Sequence, residues 1–136
     1  MAKQFHLDII TPTHTQSFDS VDYVRIPSME GLIGVQAKHA KSIIGLDVGE
    51  IRITQNGKNY FYATSGGFAD IANEGMQLLV ETAEDASSLD KERAVNALNR
   101  GKERLKDKDA DIVRTQYSIK KAENRLRIIK VYENNK

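Results

Sequence analysis

The chain has 136 residues, no cysteine, 40% hydrophobic and 29% charged residues, and a formal net charge of +1. That length fits one domain, or one small domain with an appendage, and the missing thiols exclude disulfides, thiolate metal sites and a cysteine nucleophile. No apolar run approaches the roughly 18 residues of a membrane span, and the first ten residues lack a signal-peptide core, so a soluble chain not processed for secretion is expected.

Averages conceal a seam. Both prolines, eight of the nine glycines and seven of the nine aromatics precede residue 89. Residues 1–88 carry 6 Lys/Arg against 11 Asp/Glu, a charge of −5, and residues 89–136 carry 14 against 8, a charge of +6. Two units of opposite sign are joined end to end, with expected bounds 1–86 and 87–136.

The first unit reads as strands. Phe5, Leu7 and Ile9 alternate with His6, Asp8 and Ile10 until Thr11-Pro12 breaks the run. Val21–Ile26 is β-branched and aromatic, and Pro27 is expected to stop it. Ile51 and Ile53 alternate into Asn56-Gly57, a two-residue hairpin signal because both turn positions need positive φ. Tyr60–Ala63 returns, and Asn73-Glu74-Gly75 turns the chain into Met76–Val80. Short strands at this spacing predict an all-β sandwich or barrel. Ser65-Gly66-Gly67 follows a strand instead of opening a helix, which points to a bulge or close strand packing, not a phosphate cradle.

The second unit reads as an antiparallel two-helix hairpin. Ser87 or Ser88 is the expected cap of its first helix, and Asp109 of its second. Ala94, Leu98, Gly101 and Leu105 step by helical intervals, as do Ile112, Thr115, Ile119, Ala122, Leu126 and Ile129. Helices of about 18 and 22 residues would be roughly 27 and 33 Å long. Seams rich in Ala, Gly and Thr bury too little apolar surface to stand firmly alone, which marks the hairpin as a moving part.

Recognisable chemistry is sparse. His6, His14 and His39 are scattered and form no ligand set. No phosphate-loop pattern and no Ser-His-Asp arrangement occurs, so no catalytic residue is assigned. A turn near Asp107-Lys108 would gather Arg93, Arg100, Lys121 and Arg125 toward the open end of the hairpin, with Asp90 among them. Guanidinium groups suit phosphate oxygens, although spacing alone favours a solvated charged face with Asp90–Arg93 as an ordinary i, i+3 pair.

Four segments in order resemble the epsilon subunits of bacterial F-type ATP synthases. They are Ile33-Gly34-Val35 through His39-Ala40, Ala63–Ile71 (ATSGGFADI), Val80–Glu84 (VETAE) and Leu89–Ala94 (LDKERA). The resemblance implies a ten-stranded β-sandwich followed by an antiparallel two-helix domain. It implies a non-catalytic rotor subunit at the cytoplasmic face of the bacterial membrane, reaching the membrane only through the complex. The sandwich would bind the gamma subunit and the ring of c subunits. The helices would either lie folded or extend toward the alpha and beta subunits and restrain ATP hydrolysis. The +6 of the second unit has the sign needed to meet acidic loops.

Some members bind ATP as a regulatory ligand on the folded hairpin. The matching positions are Glu84, Leu89, Asp90, Arg93, Ala94, Arg100 and Arg125, with Lys121 where an arginine is expected. No cofactor is required. The resemblance also puts the c-ring contact on the loop region containing Met29, Leu32 and His39, where Gln36-Ala37 and Lys41 depart from the family pattern. Loop packing within the sandwich is the other reading of those three residues. From a different class, a nucleic-acid-binding module could use the basic hairpin, but Tyr117 and Tyr132 are its only stacking aromatics.

Overall fold

The computed structural model describes residues 3–135. It divides into two compact units, one up to Asp85 and one from Ala86. The first holds ten strands: β1 (Phe5–Ile10), β2 (Thr15–Val21), β3 (Tyr23–Ser28), β4 (Gly31–Val35), β5 (Ser42–Leu46), β6 (Gly49–Gln55), β7 (Lys58–Thr64), β8 (Gly67–Ala72), β9 (Gly75–Val80) and β10 (Ala83–Asp85). They form one continuous sheet, ordered β10-β7-β6-β3-β5-β8-β9-β1-β2, with β4 paired to β3.

The sheet is thinnest between β3 and β5, which share the single register pair Ser28↔Leu46. There it folds over and its halves face each other. Leu7 and Ile9 of β1, Val24 and Ile26 of β3, Ile51 and Ile53 of β6, and Met76 and Leu78 of β9 all enter one buried cluster. Phe18 of β2 meets Tyr60 and Tyr62 of β7 at centroid distances of 5.9 and 6.3 Å, joining the two halves. The period-2 alternation of these strands is the cause. Each core side chain stabilises by about 1.5–3 kcal/mol relative to exposure.

The Asn56-Gly57 turn closes β6 on β7 with φ values of 52° and 79°, both positive as a tight hairpin requires. Pro27 does not end its strand, contrary to the sequence expectation. β3 runs through it to Ser28, because β6 pairs only with Tyr23–Arg25 and β5 only with Ser28. Pro27 sits in the gap between those ladders, where a missing N–H is tolerated, and its carbonyl accepts from the Asp47 amide at 2.9 Å. At Gly67 a Cβ would run into the backbone of Leu79 and Val80, so the glycine pair serves close strand packing.

The second unit opens with a single 3-10 turn, Ala86–Ser88, followed by α1 (Lys91–Arg104) and α2 (Ile112–Asn134). Asp90, not Ser87 or Ser88, caps α1 by accepting from the Arg93 amide at 3.2 Å. Asp111, not Asp109, caps α2 by accepting from the Arg114 amide at 3.1 Å. Asp107 instead accepts from the Asp109 amide at 3.0 Å and shapes the link between the helices. The helices have 14 and 23 residues, because the 3-10 turn takes up the start expected for the first. Ala94, Gly101, Thr115, Ala122 and Ile129 are buried as the seam requires. Ile112 is 58% exposed at the first turn of α2, while Asn124 and Ile128, outside the expected stripe, are buried.

Candidate functional site

Helix periodicity decides what the hairpin presents beside its seam. Arg100 and Arg104 of α1 are i, i+4 neighbours, and Arg114, Ser118, Lys121 and Arg125 of α2 follow at intervals of four, three and four. Together with Ala97, Gly101 and Thr115 they line one open groove of about 460 Å³. Five cations and two hydroxyls line it, and no carboxylate does. Among the described residues, Arg100, Arg104 and Arg114 have no carboxylate within ion-pair distance. Lys121 Nζ lies 4.6 Å from the centre of the Tyr117 ring. Ser118 Oγ donates to the Arg114 carbonyl at 3.1 Å.

The groove brings together three of the sequence-derived ATP positions, Arg100, Lys121 and Arg125, and leaves out the others. The Asp90 carboxylate caps its own helix, and it meets the backbone amide of Arg93 instead of the expected guanidinium. Ala94 is buried in the seam, and Leu89 donates its amide to the Ala86 carbonyl at 3.2 Å. Glu84 lies in β10, opposite Ala63 of β7. Register explains the split. A Cβ on Gly101 would stand 2.5 Å from Cγ1 of Ile119, so the hairpin turns two or three residues later than Asp107-Lys108. Arg93 is then level with the neighbourhood of Arg127, away from Lys121. Arg104 and Arg114, which no motif marked, enter the groove for the same reason. Their signal was the charge density beside the turn.

In the first unit, Met29 and Leu32 stand at the tip of the β3–β4 hairpin, 68% and 64% exposed. Ser28 holds that tip, donating from Oγ to the Gly31 carbonyl at 2.5 Å and accepting from the Glu30 amide at 3.2 Å. His39 lies beyond the opposite end of β4, its Nδ1 2.9 Å from the Ala40 carbonyl. The structure thus unites Met29 and Leu32 and sets His39 apart.

A second exposed feature escaped the sequence reading. Phe68 pairs with Gly45 on one side and Leu79 on the other, and Leu79 pairs with Ile10. Phe68 and Leu79 are exposed, as is Ile43 two positions along from Gly45, so an apolar row crosses β5, β8, β9 and β1 on an outer face. Its signal was one apolar residue at an outward position of each strand, Ile43, Phe68, Leu79 and Ile10, in strands whose inward positions are also apolar.

Beside that row is a depression of about 340 Å³ lined by His6, Asp8, Asp70, Glu74 and Gln77, among others. Asp8 accepts from Ser17 Oγ at 2.6 Å and lies 2.8 Å from Nε2 of His6. The Ser17 hydrogen bond, helped by His6 and opposed by burial, holds the Asp8 carboxyl below its ordinary value. No group of three or more metal-ligating side chains occurs among the described residues. No described helix is long and apolar enough to cross a membrane.

Comparison with known proteins covers both units. Residues 4–86 match the β-sandwich domain model of the ATP synthase delta/epsilon chain, and residues 87–130 match its long α-helix domain. An ATP synthase epsilon chain of Desulforamulus reducens is 37% identical over 93% of this chain and 98% of the relative. One from Nitratidesulfovibrio vulgaris is 36% identical over 94% and 97%. A chain in the Euglena gracilis mitochondrial ATP synthase shares the fold, with a TM-score of 0.74 at 23% identity over 98% of this chain and 82% of that one.

Proposed function

The chain belongs to the ATP synthase delta/epsilon chain family as a non-catalytic epsilon subunit of the F-type enzyme, and from that premise we propose how its two units work. The sandwich joins the rotor, with the apolar row Phe68–Leu79–Ile10 docking on the gamma subunit and the Met29–Leu32 tip meeting the ring of c subunits. The hairpin restrains ATP hydrolysis when it leaves its folded state and reaches the alpha and beta subunits. ATP, gripped by Arg100, Lys121 and Arg125, holds it folded. A ligand shifts such an equilibrium only by binding one state more tightly, and the groove exists in the folded arrangement. The subunit works at the cytoplasmic face of the membrane, held there by the complex.

The observation that carries this reading is the consecutive match of both family domains along the chain. The exposed apolar row supports the docking face, since an apolar stripe across four strands costs solubility unless a partner covers it. The nucleic-acid alternative finds no support in the family to which the chain belongs.

Association with purified gamma tests the docking face. Calorimetry should detect binding by the wild-type chain and a loss of about tenfold or more in Phe68→Glu, because a charge would be buried at the centre of the contact. Unchanged binding in Phe68→Glu and Leu79→Glu would place gamma on another face.

A further inference from the structure

We propose that the apolar row of the sandwich runs on past Phe68, through Gly45, to Met29. Met29 then belongs to the surface that docks gamma, and Leu32 is left as the apolar residue of the tip that meets the ring of c subunits. The inference rests on the docking reading above and divides the β3–β4 tip between two partners.

Three observations carry it. First, Gly45 is the register partner of Phe68, and partners across an antiparallel pair set their Cβ positions on one face of the sheet. Gly45 therefore holds the next place in the row Ile10–Leu79–Phe68 but offers no side chain there. Second, Met29 fills that place. Its Cγ lies 3.6 Å from where a Cβ of Gly45 would stand, and its amide donates to the Gly45 carbonyl at 3.1 Å. Met29 is exposed, as are Phe68 and Leu79, so the strip stays apolar and open to a partner across the gap. Third, Leu32 goes the other way. It pairs with Pro27 of β3, which lies against Gly49 of β6, and both strands are across the β3–β5 fold of the sheet from Gly45.

The strip is narrow and bounded. The next outward row, Asp8–Gln77–Asp70, is polar. Three strand spacings of about 4.8 Å carry the strip roughly 14 Å from β1 to β5, and Met29 lengthens it. Its occupant is a ridge of apolar side chains crossing the strands. Only Gly45 separates Phe68 from Met29, so a ridge seated on Phe68 and Leu79 also meets Met29. An unbranched, polarizable thioether adapts its shape to such a ridge.

The test is calorimetry of the full chain with purified gamma, in wild type, Met29→Glu, Gly45→Glu, Leu32→Glu and Phe68→Glu. Met29 and Leu32 are both exposed and Gly45 has open space beyond Met29, so the variants should keep the wild-type circular-dichroism signal. Met29→Glu and Gly45→Glu should each lose about tenfold or more in affinity, because a carboxylate would be buried in the contact. Leu32→Glu carries the same charge on the same tip and should bind within about twofold of wild type. If Met29→Glu or Gly45→Glu binds as wild type does, or if Leu32→Glu loses as much as Met29→Glu, the proposal falls. Weakened binding by Phe68→Glu in that case leaves the docking reading standing. Wild-type binding by Phe68→Glu, or no binding by the wild-type chain, would sink the docking reading and the proposal with it.

Discussion

Gly101 of α1 lies so close to Ile119 of α2 that a Cβ built on it would stand 2.5 Å from Cγ1 of the isoleucine. This contact sets the register of the hairpin, and with it the membership of the cationic groove. Helix propensity would favour alanine at Gly101 by about 1 kcal/mol, whereas overpacking a seam costs about 1–3 kcal/mol. Overpacking should win because Ile119 is β-branched and stiff. Gly101→Ala should therefore lower the stability of the helical unit, read as earlier melting of the helical circular-dichroism signal. Adding Ile119→Ala should relieve the clash and recover part of the loss. A Gly101→Ala variant as stable as wild type would mean that the helices can separate at no cost there.

A half-buried charge arrangement in the sandwich makes a second prediction. Arg25 of β3 pairs in register with Arg52 of β6, and Nη2 of Arg25 donates to Oε1 of Glu50 at 3.0 Å. Glu50 is 12% exposed and Arg25 26%, so water screens the pair weakly. Glu50→Gln would leave the Arg25 guanidinium without its carboxylate beside Arg52, and should destabilise by about 1.5–3 kcal/mol. Urea unfolding measures this, and a double-mutant cycle with Arg25→Met isolates the pair. A coupling near zero would show that the contact stabilises nothing.

Acid stability follows from Asp8. Its carboxyl is held below its ordinary value, chiefly by Ser17. Between the folded and unfolded pKa values the unfolded chain binds more protons, so stability rises with pH there. The contribution is fully present above the unfolded value of about 3.9 and is lost as pH falls through the folded one. Ser17→Ala should be less stable than wild type at neutral pH, and the gap should narrow on acidification below about pH 4. A gap that stays constant into that range would assign the Ser17 effect to something other than the carboxylate.

Legibility in the sequence varied with how local the cause was. The Asn56-Gly57 hairpin was readable because two adjacent residues carry the whole requirement, positive φ at both. The seam glycine was readable because Gly101 interrupts an otherwise regular helical stripe. Pro27 misled because its tolerance depends on where two other strands stop pairing, which no local window contains. β4 and β5 stayed hidden because Gly31, Gly34 and Gly45 dilute their apolar pattern. Of the four cations the spacing gathered, Arg100, Lys121 and Arg125 line one groove and Arg93 does not. Arg104 and Arg114 were missed because a turn placed two or three residues early shifts every facing pair. The caps show the same limit, since Asp107, Asp109 and Asp111 are chemically equivalent and only the packed register selects Asp111.

The central claim is that the helical hairpin restrains hydrolysis, and the direct measurement is ATP hydrolysis by a reconstituted alpha–beta–gamma head. Three samples are compared: no addition, the full chain, and a truncation ending at Ser88, with binding of both proteins to the head verified. A lower rate is expected with the full chain, and a rate near that of the head alone with the truncation. Equal rates with full chain and truncation, both bound, would contradict it and leave the hairpin without a role in inhibition.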